Sequence, residues 1–358
     1  MIGYYVHHQG LGHRNRATQI ARELTVPVTG FSTLERPEDW PGEWVQLPPD
    51  LAEHPVDPTA HGVLHWAPLA HPDHRERMGI MADRLRTDLE LMVTDTSAEV
   101  TLLARLMGVP TVVMAMRGDR TDRTHRAAYD AATALVAPWS RETAEPDWLQ
   151  EWNRKTTFTG AISRFDPPSN AAPSSLAPGD DAASHTLAHP GPAPAAPAPA
   201  QAPGGVAGPR TVLVVWGRGG RVVGDAEIAA ARAATPGWRW TVRTPDEPSP
   251  DLWRELHEAT VVVTHGGNNA VAELSAARAR AVVVAQPRPH DEQLATAAAL
   301  DRAEICVGLD AWPEARAWPV LLERARTLGG ERWQRWHHGD GARRAARALE
   351  SVLRGSGW

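Results

Sequence analysis

The chain has 358 residues, enough for about two domains at roughly 150 residues each. Hydrophobic residues make up 42% and charged residues 22%, an ordinary globular balance, and a net charge of −6 leaves no basic field to attract nucleic acid or anionic lipid. One cysteine, Cys306, excludes an internal disulfide and a cysteine-held zinc, and reads as a small core residue.

Ile2–Val6 is the first strand expected, followed by a Gly-rich turn and a helix near Arg14–Leu24. Val26–Phe31 gives a second strand, while 34–72 is rich in Pro, Trp and His and has no clear period. A helix near Asp73–Leu89, strand Leu91–Thr94, helix Ala98–Met107 and strand Thr111–Met116 complete the first half. Residues 166–210 are dominated by Pro, Ala, Gly and Ser, cannot bury apolar surface, and read as a linker between domains 1–165 and 211–358. Alternation then resumes with strand Thr211–Val215, a glycine loop, helix Asp225–Ala234, strand Arg239–Val242, helix Asp251–Ala259 and strand Thr260–Thr264. Helix Asn269–Arg278, strand Ala281–Ala285, helix Gln293–Arg302 and two late helices follow. Such alternation implies two parallel sheets covered by helices, with ligands at the carboxyl ends of strands in a cleft between the lobes. No apolar run approaches the ~20 residues needed to cross a bilayer, and no basic-then-apolar leader opens the chain. A cytoplasmic protein without a transmembrane segment is expected, with peripheral membrane contact left open.

Each motif that carries chemistry falls at such a strand end. Thr264-His-Gly-Gly-Asn-Asn-Ala-Val-Ala-Glu273 leaves a strand and opens a helix, so backbone N–H groups and the positive helix end suit phosphate. His265 and Asn269 add side-chain donors, and Glu273 suits the two hydroxyls of a ribose. The plain alternative is a turn with Asn268 as helix N-cap and Glu273 on the surface. Gln286-Pro-Arg-Pro-His-Asp-Glu-Gln293 ends the next strand, and its carboxylates and amide suit vicinal sugar hydroxyls, with Asp291 as the alternative helix cap. In Trp216-Gly-Arg-Gly-Gly-Arg221 the loop glycines could cradle phosphate with an arginine adding charge, but the Gly-Lys-Ser/Thr ending of a Walker loop is missing. His7-His-Gln-Gly-Leu-Gly-His13 lacks the third glycine of a dinucleotide fingerprint, which argues against an oxidoreductase.

The order His-x-Gly-x-Asn-x-x-x-Glu, then Pro, then acid-Gln resembles the nucleotide-sugar signature of the GT-B glycosyltransferases. It is nearest to the branch with the peptidoglycan N-acetylglucosaminyltransferase and the plant and antibiotic glycosyltransferases. The resemblance implies an α/β fold of two Rossmann-like domains facing a central cleft, with the last helix returning to the first domain. It implies donor binding by Gly217, Gly219, Gly220, Arg221, His265, Gly266, Gly267, Asn268, Asn269, Glu273, Asp291, Glu292 and Gln293. Gly10 and Gly12 would form the acceptor-side loop. His13 would be the base that takes the acceptor proton, a task that suits the histidine side chain at neutral pH, with Asp95 orienting it; a helix N-cap is the other reading of Asp95. The paired His7 and His8 leave that assignment open.

The expected function is transfer of a sugar from a nucleotide-diphosphate sugar, UDP or dTDP before GDP, to a small-molecule or lipid-linked acceptor, with inversion. No Asp-x-Asp triad occurs, so no metal and no obligatory cofactor are expected. A sugar-nucleotide epimerase on the same fold and a non-catalytic nucleotide-sugar binder are the alternatives. Trp40, Trp44 and Trp66 are candidates for stacking on an acceptor, whereas Trp312, Trp318, Trp333 and Trp336 read as packing. Arginine is abundant and Lys155 is the single lysine, a skew of composition that lends little weight to any one arginine.

Overall fold

The computed structural model of the chain describes residues 1–8, 10–144, 150–167, 210–217 and 222–355. The linker expected at 166–210 therefore falls almost wholly outside the described residues.

The first lobe runs β1 (Ile2–Tyr5), α1 (Leu11–Glu23), β2 (Val28–Ser32), β3 (Glu43–Gln46), α2 (Pro72–Thr87), β4 (Leu91–Asp95), α3 (Ala98–Leu106), β5 (Thr111–Met114), α4 (Arg123–Ala131), β6 (Ala134–Ala137) and β7 (Thr156–Phe158). Its seven strands lie in the order β3-β2-β1-β4-β5-β6-β7, all neighbours parallel. Fully buried strands such as Ile2–Tyr5 and Leu91–Asp95 read as continuous apolar runs because helices cover both faces of the sheet. The second lobe runs β8 (Arg210–Val215), α5 (Asp225–Ala234), β9 (Trp238–Arg243), α6 (Leu252–Glu258), β10 (Val261–His265), α7 (Asn268–Ala277), β11 (Ala281–Val284), α8 (Glu292–Arg302), β12 (Val307–Leu309), α9 (Trp318–Leu328) and α10 (Gly341–Leu353). Its five strands lie in the parallel order β12-β11-β10-β8-β9.

Five elements go beyond the sequence reading: β3, α4, β6, β7 and β12. The strands among them are three or four residues long. β3 is also a half-exposed edge in a segment dense with Pro and Trp, where no period could build up.

α10 packs on α1 although it closes the chain. Its apolar stripe, Ala342, Ala345, Ala346, Leu349 and Val352, joins the core of Ile2, Ala17, Ile20 and Leu91 in the first lobe. Glu350 fixes the docking by accepting the backbone N–H of Thr25 at 2.7 Å. The late tryptophans pack: Trp318 and Trp333 are fully buried, and the Trp333 indole donates to Ala279 O at 2.7 Å. Trp40 is core too, edge-on to Trp44 at 5.0 Å, while Trp66 reaches the cleft. Cys306 is buried, and burial pushes its thiol well up. Among the described residues no helix is long and apolar enough to cross a membrane.

Candidate active site

The carboxyl ends of both sheets face one another across a cavity of about 1150 Å³. On its first wall, β1 ends in the turn that starts α1 at Gly10, whose φ of 83° is left-handed territory. This places His13 in the first turn of α1, above the end of β4. Asp95, the last residue of β4, is fully buried, and His13 Nδ1–H donates to its Oδ1 at 2.9 Å. That bond selects the tautomer whose Nε2 is left as an acceptor. The helix-cap reading of Asp95 fails, because Ser97 caps α3 by accepting from Val100 N. His7 and His8 line the same cavity, and burial drives His7 down to about 3, with His13 and His8 adding to the shift.

Arg16, one turn along α1, donates to the same Asp95 Oδ1 at 2.6 Å and is itself only 5% exposed. Burial alone would raise Asp95, but Arg16 and then His13 outweigh it and hold the carboxyl at about 2. Arg16 escaped the sequence reading. Its spacing of three from His13, which puts both on one helix face, was the available signal. Behind this pair, Arg77 binds Tyr5 Oη at 3.0 Å and Asp50 at 2.8 Å, a buried polar network also unread in the sequence.

On the second wall, β10 runs into α7 through the expected glycines. Gly267 N–H donates to His265 Nδ1 at 3.0 Å, which leaves Nε2 to carry the proton. Burial, then the charge of Arg288, lowers His265 to about 4, so it is a neutral donor rather than a cation. Trp216 lies parallel to its ring at 6.3 Å, and a Cβ on Gly267 would come within 2.7 Å of it. Beyond the ring, the first turn of α7 offers the N–H groups of Asn268, Asn269 and Ala270 to the cavity. Gly267, not Asn268, is the cap residue.

Glu273 also lines the cavity, and Arg164 of the first lobe holds its Oε1 at 2.8 Å. Glu292 faces His13, Arg16 and Arg120, yet burial prevails and raises its pKa. Gln293 is buried, accepting Gln286 N–H at 3.1 Å with its Oε1. Asp291 departs from its expected role: it is exposed and outside the cavity wall. His290 and Asp291 both take left-handed backbone, with φ of 62° and 53°, and this kink turns the first acid of the trio outward. Gly217 lines the wall, whereas Gly266 packs behind it against Gln293. Gly219, Gly220 and Arg221 lie outside the described residues.

The lobes touch directly. Asp119 N–H donates to His290 O at 2.8 Å, and Gly12 meets Asn269. Between them Gly118 has φ 89°, and a Cβ there would stand 2.1 Å from His290 O. Gly118→Ala combines backbone strain of about 1–3 kcal/mol with that clash. It is expected to push the lobes apart, raise the radius of gyration in small-angle scattering, and cut turnover by about 10²-fold through misplacement.

The same junction gathers four ligating side chains outside the sequence reading: His65, Asp122, His125 and His290. His125 and His65 both hydrogen-bond Asp122, and with the His125 backbone N–H they overcome burial and hold that carboxyl well below the ordinary range. Their separation in sequence hid them, as only the closed fold brings them together.

Residues 249–312, which span the motifs at 264–273 and 286–293, match the family model of the glycosyltransferase family 28 C-terminal domain. The whole chain is similar to the solved glycotransferase of kitacinnamycin: 17% identical, covering 98% of each chain, TM-score 0.58. It is also similar to Acinetobacter baumannii MurG (14% identical, covering 99% of this chain and 97% of that one, TM-score 0.54). A third likeness is the spinosyn rhamnosyltransferase SpnG complexed with thymidine diphosphate (14% identical, covering 99% and 96%, TM-score 0.50). At these identities the structures establish the fold, GT-B. No curated protein sequence matches the chain.

Proposed function

We propose that this chain, a glycosyltransferase of the GT-B fold, moves a sugar from a nucleoside-diphosphate donor to an acceptor hydroxyl with inversion and without a metal at the diphosphate. The observation that carries the reading is the His13–Asp95 pair at 2.9 Å, set across one cavity from the neutral His265 donor and the amino end of α7.

In this reading the diphosphate lies against His265 Nε2–H and the first N–H groups of α7, where preorganised donors meet the charge that develops on the leaving group. The ribose hydroxyls bind Glu273 and compete with Arg164 for Oε1. The base lies along the wall of Thr244, Pro245, Ser249 and Leu252. UDP- and dTDP-sugars are the favoured donors, and the thymidine diphosphate of the SpnG complex, a protein of the same fold, supports the second. Glu292 and Gln293 reach the hydroxyls of the transferred sugar. His13 Nε2 takes the acceptor proton as the acceptor oxygen bonds to the anomeric carbon. The bond from that carbon to the phosphate oxygen breaks with its electron pair, and the nucleoside diphosphate leaves. On the acceptor side, Leu51, Trp66, Met78 and Val100 mix with His8 and His74, a wall suited to an amphiphilic acceptor.

The test is a metal-free thermal-shift panel of UDP, dTDP, GDP, their sugars, NAD and ATP. One nucleoside diphosphate should raise the melting temperature by mass action, and His265→Ala and Glu273→Ala should abolish that rise. A rise with NAD or ATP and none with any sugar nucleotide would overturn the proposal. Donor turnover without an acceptor, giving an isomeric sugar nucleotide, would assign an epimerase instead.

A further inference from the structure

We propose that His65, Asp122, His125 and His290 form a divalent transition-metal site, best suited to zinc, that clamps the two lobes together. One candidate ligand atom from each residue lies within 4.8 Å of all the others. His65 Nε2 is 3.2 Å from Asp122 Oδ1, and His290 Nδ1 is 3.7 Å from Asp122 Oδ2. Three imidazoles and one carboxylate are a donor set that zinc takes in tetrahedral geometry. With bonds of about 2.0–2.1 Å, a tetrahedron has edges of roughly 3.4 Å. The most distant atoms therefore draw in by roughly 1.4 Å, while His125 and Asp122, now 2.5 Å apart, open, both within reach of χ adjustments.

The backbone prepares the set. Asp122 caps α4, accepting the N–H groups of Thr124 and His125, so its carboxylate is fixed relative to His125 one turn on. His65 comes from the irregular segment before α2 and stands 4.4 Å, ring to ring, from His125. His290 alone belongs to the second lobe. Its φ of 62° is a costly backbone state for a non-glycine residue, and it aims the ring at His125, 4.7 Å away between centroids. Its carbonyl receives Asp119 N–H, so the loop is pinned where the ring must be. Only His65 and His125 hydrogen-bond the carboxylate; His290 stands 3.7 Å from Asp122 Oδ2, and a shared metal would account for its place. Arg120 opposes a cation, with Nη1 3.4 Å from His125 Nε2; Glu292, at 3.6 Å from its Nη2, offsets that charge.

The site depends only on this cluster, so its test is independent of the donor reading. Tag-free, metal-stripped full-length protein is titrated with Co²⁺ and followed by visible absorption, then by displacement with Zn²⁺. One equivalent should give the intense bands of tetrahedral cobalt. His65→Ala and His290→Gly should each weaken binding by at least about 10-fold, the loss seen even when an outer partner of a ligand is removed. Glycine tolerates the φ at position 290, and His257→Ala, on the exposed face of α6, should change nothing. Zinc should also lower the radius of gyration of the wild type but not of His290→Gly. Absence of tetrahedral cobalt bands, or bands that persist in both variants, would overturn the site. Bands lost in His65→Ala but kept in His290→Gly would overturn the clamp.

Discussion

His13→Ala is expected to lower kcat by about 10²–10⁴-fold while leaving affinity for the donor nearly unchanged. The first half of that expectation follows from the one-sided bonding of the ring. Nδ1 is committed to Asp95 Oδ1 at 2.9 Å, so only Nε2 can take a proton from an acceptor in the cavity. The second half follows from where the donor groups sit. His265, the first turn of α7 and Glu273 belong to the opposite wall, and none of them bonds to His13. A fall in kcat with unchanged donor binding is the signature of an interaction made only in the transition state. The measurement is release of nucleoside diphosphate, with acceptor or with water as slow acceptor, beside the donor-dependent thermal shift of the same variant. A kcat within about threefold of wild type would remove His13 as the base, since a positioned base contributes far more than that. His8 and Glu292, on the same cavity, would then be the groups to replace.

What could be read from the sequence divides along local and non-local lines. The glycines at 266 and 267, His265 and the opening of α7 were legible because a strand, a loop and a helix start occupy one short stretch and obey local rules. The His13–Asp95 pair was legible once both residues were placed at strand ends, since neighbouring parallel strands such as β1 and β4 bring their carboxyl ends together. Asp291 stands apart from Glu292 and Gln293 through the kink at His290 and Asp291, which no sequence pattern reports. Arg16 and Arg164 do not stand out amid abundant arginine, although one is buried against Asp95 and the other holds Glu273 from across the cleft. The histidine cluster joins three remote segments, so its donors look like isolated histidines until the lobes meet.

Asp95→Ala should cost stability as well as turnover. Arg16 is only 5% exposed, and removing its carboxylate leaves a buried, uncompensated guanidinium, a loss of about 3–5 kcal/mol. The pH dependence has a definite sign. Asp95 is held at about 2, below the ordinary 3.8, so its contribution is complete above 3.8 and is lost as the pH falls toward 2. That contribution is on the order of 2 kcal/mol. The gap in denaturant midpoint between wild type and Asp95→Asn should therefore be widest near neutrality and narrow below about pH 4. Replacing both members, Asp95→Asn with Arg16→Met, removes the stranded charge and should recover most of the stability, because an apolar substitute for a buried ion pair is often neutral. Turnover should not recover with it, since a neutral amide cannot hold the His13 tautomer or stabilise the imidazolium that forms as the proton arrives. Recovery of stability alone would separate the orienting role of Asp95 from its structural one. Recovery of turnover as well would reduce Asp95 to a packing partner of Arg16 and leave His13 to act unaided.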